Sequence, residues 1–274
     1  MLTMSNLRVA VVCIARLEGR YLPEFFEHYK SLGFSNVILC DNDHDGDEED
    51  VEAIIKPYSG FVIYEGYRNK EGCQVRAYTD VYEKYKNDYD WFFYCDVDEM
   101  LVLNKHKTIQ ELLSTFTDCQ AVVINWKCFT DSGLIQYDPR PMMERFGVPM
   151  DKNKCVQYAD IAENMHVKSF VKGGLENMSF YSNPHVPTTP LVTYNASGKR
   201  CSNSPFQPID WDVACLNHYV TKSLEEYCLN KLKRGSGDRS YDLFLKTYGN
   251  RYFRYNTVTQ EKLDWLKEHG FQGI

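Results

Sequence analysis

The sequence predicts an α/β fold built on a mixed, mostly parallel sheet with helices on both faces. Short apolar runs typical of strands alternate with segments of helical spacing through the first hundred residues, as in βαβ units. Polar side chains directly follow several of these runs, at the strand ends where open α/β sheets bind ligands. A hydrophobic content of 43% provides a sizeable core, which excludes a disordered chain.

The elements follow from periodicity and capping residues. A first helix after residue 21 has apolar side chains at helical spacing and ends at Gly33, a C-terminal capping residue. Ser223 is an N-cap residue for a late helix. The predicted strands are 8–14, 36–40, 61–64, 91–95, 121–126 and 214–220. The predicted helices are 22–32, 48–56, 71–86, 109–116, 223–234, 241–248 and 259–269. Residues 127–208 are interpreted as rich in loops, and 235–237 as a flexible break.

The strand over 91–95 contains four aromatic residues and runs directly into Asp96, Asp98 and Glu99. Three carboxylates at the end of a core strand are costly unless positive charge lies beside them. A divalent cation would supply it, and Mg²⁺ or Mn²⁺ favours carboxylate and phosphate oxygens. In an extended segment Asp96 and Asp98 would point the same way, with Val97 turned into the core. The alternative interpretation is an acidic surface turn.

Other polar residues are expected at the same edge of the sheet. Arg16 and Glu18 follow the first strand, and Asp41 follows the second. We expect these residues to line one ligand pocket, although charge pairing at a helix end would also explain Arg16 and Glu18.

Charge and cysteine usage narrow the class of protein. With 31 basic and 38 acidic residues, the net charge of −7 excludes a general nucleic-acid binder. The ten cysteines show no CxxC spacing, which indicates buried free thiols and a reducing, cytoplasmic location. Neither a signal peptide nor a membrane-spanning segment is visible in the sequence.

An acidic loop matches a calcium-binding pattern. Asp41, Asp43 and Asp45, with Gly46 and Glu52, have the spacing of an EF-hand loop. The segment that enters the loop is strand-like, where an EF-hand needs a helix. A solvated acidic turn is therefore the favoured interpretation, with Asp41 alone placed to contact a nucleoside.

Taken together, the motifs resemble GT-A glycosyltransferases, and in particular glycosyltransferase family 92 and its bacterial neighbours in the family 2 superfamily. The matching stretches run from residue 9 to about residue 240. They are Ala15-Arg16-Leu17-Glu18, Asp41-Asn42, Gln74 with Arg76, Asp96-Val97-Asp98-Glu99, Asn125-Trp126, Phe129, Ser132-Gly133, Glu144-Arg145-Phe146, Lys168-Ser169, Asn183-Pro184-His185, Asn217-His218-Tyr219, Lys222-Ser223 and Arg234-Gly235. Thr130-Asp131 departs from the small residues that the pattern has in its loop.

The resemblance implies a GT-A-like (Rossmann-like) catalytic domain over residues 1–274. Residues 1–126 would bind the nucleotide sugar, and residues 127–274 would form the acceptor half and the C-terminal helices. The implied reaction is metal-dependent, inverting transfer of a sugar from a nucleoside diphosphate sugar, UDP-linked as a first guess. The acceptor would be a hydroxyl of a glycan or a lipid-linked glycan, for example in surface polysaccharide synthesis at the inner face of the membrane.

The resemblance also assigns roles to residues. The metal, Mn²⁺ or Mg²⁺, would be held by Asp96, Asp98 and His218. The donor site would comprise Arg16, Glu18, Asp41, Arg76, Asp96, Lys222 and Arg234, the last as part of a lid over the diphosphate. His185 would lie on the acceptor side. Inversion needs a general base, for which Asp131 and Asp212 are the candidates, followed by Glu163.

Two other functions compete with this interpretation. A nucleotidyltransferase shares the α/β nucleotide-binding half, but it would normally have a glycine-rich, basic loop after the first strand, where this chain has only Gly19. A calcium-dependent carbohydrate-binding or interaction module would use the loop from Asp41 to Glu52.

The C-terminal stretch suits either a peripheral membrane contact or, given its mixed charges, packing in the core. Its residues are Lys262, Trp265, Leu266 and His269.

Overall fold

The computed structural model describes residues 7–47, 50–234 and 251–271, with the side chain of Arg234 excepted. The predicted break at 235–237, the predicted helix at 241–248 and the start of the predicted helix at 48–56 lie outside these residues. The chain divides into two compact units. Unit 1 comprises Met1–Trp126 and Asn164–Asn217, and unit 2 comprises Lys127–Glu163 and His218–Ile274. The segment 164–217 therefore groups with the first half of the chain.

The elements occur in the predicted alternating order. The strands are β1 (Val9–Ala15), β2 (Asn36–Asp41), β3 (Val62–Gly66), β4 (Trp91–Tyr94), β5 (Glu99–Leu103), β6 (Ala121–Cys128), β7 (Cys155–Tyr158), β8 (Ile161–Ala162), β9 (Val167–Lys172), β10 (Thr193–Asn195), β11 (Arg200–Cys201) and β12 (Ala214–His218). The α-helices are α1 (Leu22–Ser31), α2 (Val51–Ile55), α3 (Gln74–Tyr85), α4 (Ile109–Leu113), α5 (Met142–Arg145), α6 (Leu224–Glu226), α7 (Leu232–Arg234), α8 (Arg251–Tyr255) and α9 (Gln260–Glu268).

The main sheet has ten strands in the order β11-β10-β6-β9-β4-β1-β2-β3, with β12 paired to β5 and β6. Strands β1, β2, β3 and β4 pair in parallel, as predicted. Strand β9 is antiparallel to both of its neighbours, β4 and β6. The predicted mixed sheet is therefore confirmed.

Helices cover both faces of the sheet because successive side chains on a strand point to opposite faces. On β4, Phe92 and Tyr94 contact Tyr82 and Tyr78 of α3. The intervening Phe93 lies on the other face, with its ring centroid 6.2 Å from that of Tyr29 on α1. The aromatic run that signalled a buried strand thus packs against a helix on each side.

The sequence prediction missed regular structure in two places. Residues 127–208 were interpreted as rich in loops, but they also include β9, whose side chains from Val167 to Val171 are buried. The strand β5 was also missed, since Glu99 was grouped with Asp96 and Asp98 at the end of the preceding strand, whereas it begins β5. Both strands are short and contain a charged residue at a buried position, and this conceals them from a search for apolar runs.

In unit 2, the predicted helix after Ser223 is interrupted. Ser223 caps α6 as expected, but a π-helical segment (Tyr227–Lys231) separates α6 from α7. From α9, Trp265 and Leu266 pack with Tyr252 in the core of unit 2, and Lys262 is buried. The core-packing interpretation of this C-terminal stretch is therefore confirmed for these three residues.

The cysteine prediction is also confirmed, because all ten are free thiols and most are buried. Among the described residues, none of the helices has the length and apolar character needed to cross a membrane.

His28 links α1 to β5 and should make the stability of unit 1 depend on pH. Its Nε2 donates a hydrogen bond to the carbonyl oxygen of Leu101 at 2.8 Å. Burial lowers the pKa of His28 from its ordinary value of 6.5, although the bond to Leu101 opposes the shift. The folded state therefore binds fewer protons than the unfolded state below about pH 6.5. We expect stability to fall as the pH drops through this value.

The measurement is the melting temperature, Tm, of the wild type and His28→Gln at pH 7.5 and pH 5.5. Glutamine keeps a donor for Leu101 but does not titrate, so the variant should lose less stability on acidification. His106→Gln, in the loop after β5, is the matched control. An identical pH dependence in the wild type and His28→Gln would contradict the prediction.

Candidate active site

The carboxyl ends of β1, β2 and β4 lie side by side, as the sequence predicted. Ala15 and Asp41 are paired in the register of β1 and β2, and the backbone N–H of Asn42 donates to the carbonyl of Ala15 at 2.8 Å. Beyond β4, the N–H of Cys95 donates to the carbonyl of Val12 at 3.2 Å. The polar segments that follow these strands are therefore neighbours at one edge of the sheet.

Asp41 is held at the end of β2 by its neighbours. Its Oδ2 accepts hydrogen bonds from the hydroxyl of Tyr64 at 2.8 Å and from Nη1 of Arg68 at 3.1 Å, and its Oδ1 accepts the N–H of Asp43 at 2.9 Å. Burial and the adjacent carboxylate of Asp41 raise the pKa of Tyr64 to about 12, which keeps this hydroxyl a donor. Sequence reasoning missed Arg68, whose side chain is 39% exposed.

The loop after β1 is fixed against the loop after β2. Leu17 adopts a left-handed conformation with φ of 53°, and its N–H donates to Oδ1 of Asp43 at 2.9 Å. A branched residue in this region is strained, and such strain persists where surrounding contacts impose it. Arg16 pairs with Asp47 at 3.0 Å, and Glu18 is buried. The two loops therefore fix each other's conformation at this edge of the sheet.

Arg76 is the donor-site residue that the structure places least favourably. Its side chain is 73% exposed, and its nearest acidic partner is Asp80, one helical turn away on α3, at 3.5 Å. A solvated i,i+4 pair on a helix surface describes it better than a wall of the pocket.

The acidic segment after β4 is a turn and not the extended segment that was expected. The N–H of Glu99 donates to the carbonyl of Asp96 at 3.0 Å, which closes the turn. Val97 and Asp98 are both buried, whereas the Asp96 side chain is 34% exposed. Asp96 and Asp98 therefore do not share one face by strand alternation.

A buried lysine lies against this turn. Nζ of Lys168, on β9, is 3.0 Å from Oδ2 of Asp96 and 3.8 Å from Oε1 of Glu99. Burial alone would lower the pKa of Lys168, but the two carboxylates outweigh burial and hold the pKa above its ordinary value. Burial raises the pKa of Glu99, with Lys168 opposing the shift. Part of the positive charge that the sequence argument required is thus provided by the chain itself.

The remaining site residues of unit 1 are His185 and Asp212. His185 is partly buried, its Nδ1 donates to the carbonyl of Val167 at 2.9 Å, and its ring lies 5.2 Å from that of Trp126. Asp212 is exposed, and its backbone N–H donates to Oδ1 of Asp210 at 3.2 Å. Of the two preferred general-base candidates, Asp212 is the one whose carboxylate faces solvent.

The other preferred candidate, Asp131, is enclosed within unit 2. Its Oδ1 accepts the N–H of Gly133 at 2.9 Å, and its Oδ2 accepts hydrogen bonds from the side chains of Tyr252 and Lys262. Its own N–H donates to Asn256 at 2.7 Å. This arrangement favours a structural role for Asp131 over that of a base open to an acceptor hydroxyl.

Glu163 has similar surroundings. It is fully buried and accepts hydrogen bonds from Gln157 at 2.7 Å and from the hydroxyl of Tyr255. Arg251 lies 3.5 Å away as a countercharge. These contacts favour a structural role for Glu163 as well.

The residues late in the chain that were predicted to bind the metal or the donor also belong to unit 2. His218 ends β12 and is buried, and its carbonyl accepts the N–H of Phe129 at 3.0 Å. Lys222 is buried with a left-handed backbone, φ being 55°, and the side chain of Arg234 lies outside the described part. Within residues 7–47, 50–234 and 251–271, no group of three His, Cys, Asp or Glu side chains is arranged to hold a metal ion.

The sequence profile of glycosyltransferase family 92 matches residues 8–197. This range contains β1 to β10 and the edge formed by the ends of β1, β2 and β4. Since the match covers more than half of the chain, the protein belongs to glycosyltransferase family 92. No protein of curated function matches the sequence.

Several solved structures resemble the chain at low sequence identity. TarS of S. aureus, residues 1–349 in complex with UDP-GlcNAc, has 10% identity and a TM-score of 0.43 over 95% of this chain and 79% of that chain. HddC of Yersinia pseudotuberculosis has 14% identity and a TM-score of 0.32 over 61% and 70%. A putative glucose-1-phosphate thymidylyltransferase of Bacillus anthracis has 9% identity and a TM-score of 0.32 over 97% and 96%. In a longer TarS structure this chain spans 47% of the length. The class of the protein therefore rests on the family profile.

Proposed function

We propose that this protein transfers a sugar from a nucleoside diphosphate sugar to an acceptor hydroxyl. The observation that supports it best is the position of Asp96 and Asp98, on a turn directly after β4, at the edge where β1 and β2 also end. In open α/β sheets this edge binds ligands. Membership of family 92 supplies the reaction class.

The turn is compatible with a divalent cation. Each oxygen of Asp96 accepts one hydrogen bond, from Gln74 and from Lys168, and a carboxylate oxygen can accept two. Mg²⁺ usually takes one or two carboxylates and completes its shell with water and substrate phosphates, so a third protein ligand is not required. Asp96 and Asp98 would hold Mg²⁺ or Mn²⁺, which would neutralise charge on the departing diphosphate. His218 as a further ligand remains a prediction.

The chain's own residues have separate tasks in this proposal. Asp41, fixed by Tyr64 and Arg68, would form the nucleoside end of the donor site, and the partly exposed guanidinium of Arg68 would add positive charge there. Asp212 would act as the general base for an inverting transfer, because its exposed carboxylate can approach an acceptor hydroxyl.

The donor and acceptor follow the family resemblance. UDP-sugars are the first donors to test, and the complex of TarS with UDP-GlcNAc adds an example of such a donor in a structurally similar protein. The acceptor would be a glycan or a lipid-linked glycan in surface polysaccharide synthesis, reached from the cytoplasmic face of the membrane.

The decisive experiment is a screen of UDP-, GDP-, dTDP- and CDP-sugars with and without Mn²⁺ or Mg²⁺. We expect one nucleotide class to raise Tm, since a ligand that binds only the folded state stabilises it. The same class should release nucleoside diphosphate slowly in the presence of the metal. Pyrophosphate release from a nucleoside triphosphate and a sugar 1-phosphate would instead indicate the nucleotidyltransferase.

A calcium-dependent module has less support from the loop after β2. The guanidinium of Arg68 already lies against Asp41, and Asp45 accepts a hydrogen bond from Asn69 at 3.1 Å. Glu52, the closing residue of the pattern, is an exposed residue of α2. Tight calcium binding by isothermal titration, without affinity for any sugar nucleotide, would overturn the transferase proposal.

A further inference from the structure

Lys168 is a fully buried cation in the middle of the main sheet. Its side chain is 0% exposed, and its strand, β9, lies between β4 and β6. Lysine is almost never fully buried unless it is paired, because an ammonium group loses its hydration there. The contacts that compensate this cost indicate what the residue does, and they all converge on the turn after β4.

Asp96 is held from three directions by three different elements. Lys168 of β9 donates to Oδ2 at 3.0 Å, and Gln74, the first residue of α3, donates to Oδ1 at 2.8 Å. Glu99 of β5 accepts the backbone N–H of Asp96 at 2.9 Å. These contacts fix both the backbone and the carboxylate plane of Asp96, while a third of its side chain stays exposed.

We propose that Lys168 and Gln74 are positioning residues that hold Asp96 in the orientation that receives the donor. Lys168 also provides a positive charge beside the carboxylate of Asp96, at 3.0 Å from its Oδ2. This inference rests on the proposed function, because it takes the donor as the ligand of Asp96. It extends that function by separating the group that contacts the ligand from the groups that orient it.

Stability alone is a poor explanation for this lysine. A buried ion pair contributes little net stability, and apolar residues of similar volume often replace such pairs at no cost. A site that must present a carboxylate in one orientation does need such support, since small displacements of catalytic groups lower activity strongly. If Lys168 only stabilised the fold, its substitution would change Tm alone. If it orients Asp96, its substitution should also change donor affinity or turnover.

The test uses Lys168→Met, Asp96→Asn and the double variant. Lys168→Met should weaken donor affinity or turnover by about tenfold or more, within the range of coupling between contacting residues. The double variant should be no worse than Asp96→Asn alone, because Lys168 acts through Asp96. Lys172→Met is the matched control, since Lys172 lies on the same strand, is partly exposed and donates to the carbonyl of Thr117 at 3.4 Å. It should behave as the wild type does.

Gln74→Ala keeps the inference testable if Lys168→Met does not fold. Gln74 is only partly buried and leaves no unpaired charge when truncated. It should reduce donor affinity in the wild-type background and have no further effect when Asp96 is already Asn. Wild-type donor affinity and turnover in Lys168→Met or Gln74→Ala would overturn the inference. Effects that simply multiply with those of Asp96→Asn would also overturn it.

A second readout does not need the donor. This readout is the thermal unfolding of the wild type, Lys168→Met, Asp96→Asn and the double variant. The shifts in Tm caused by Lys168→Met and Asp96→Asn should be non-additive, as expected for residues in contact. If the wild type binds none of the sugar nucleotides, the proposed function fails, and this cycle still tests the pairing. Additive Tm shifts would show that Lys168 does not act on Asp96.

Discussion

Asp98→Ala should lower metal-dependent release of nucleoside diphosphate by about 100-fold or more, in line with the loss of one preorganised group that stabilises developing charge. Asp98 is buried in the turn after β4, where a carboxylate can hold a cation with little competition from water. Raising the Mn²⁺ concentration should restore part of the rate if the residue is a metal ligand. Asp98→Asn tests the charge with almost no change of volume.

The control is Asp118→Ala, which removes an exposed carboxylate just before β6. It should leave turnover and metal dependence unchanged. Each variant is first compared with the wild type by thermal unfolding, so that loss of activity is not confused with loss of fold. Turnover of Asp98→Ala within twofold of the wild type would refute the metal assignment.

The sequence could predict the edge of the sheet where this residue lies because the signal there is local. Apolar runs followed at once by Arg16, Asp41 and Asp96 identify three parallel strand ends. Parallel pairing then brings those ends together with no further information. The registers of β1 with β2 and with β4 confirm that inference.

What the sequence could not predict depends on contacts between distant residues. Lys168 is separated from Asp96 by 72 positions, and its strand joins the sheet only through antiparallel pairing with β4 and β6. In the sequence, the start of β9 shows only a lysine between Val167 and Ser169, both of which are buried in the structure. Such a pattern is as typical of a solvated loop as of a buried strand. Arg68 was missed for the same reason, since its partner Asp41 is 27 positions away.

The candidate bases illustrate the same limit. A single aspartate in a loop-rich segment gives no sign of what surrounds it. Asp131 is enclosed by residues from near the C-terminus, including Lys262, which is 131 positions away. Asp212 has no such enclosure and stays exposed. Burial, and not residue type, separates the two.

Glu226→Ala should strongly destabilise the protein and lower its Tm by an amount on the order of 10 °C for a chain of this size. In unit 2, Arg145 and Glu226 form a bidentate pair at 2.7 and 2.8 Å, with side chains 2% and 1% exposed. Glu226 also accepts the N–H of Ser223 at 3.1 Å and so completes the capping box of α6. Its removal leaves a buried guanidinium without its countercharge, a change that costs about 3–5 kcal/mol.

The paired replacement separates the charge effect from the packing effect. Arg145→Met combined with Glu226→Leu removes both charges and should be less destabilised than Glu226→Ala alone, because no unpaired ion remains. Arg140→Ala is the control. It breaks the pair with Asp138, whose side chains are 58% and 23% exposed, and surface pairs contribute little. If Glu226→Ala changed Tm no more than Arg140→Ala does, the buried pair could not be what holds α5 against α6 in unit 2.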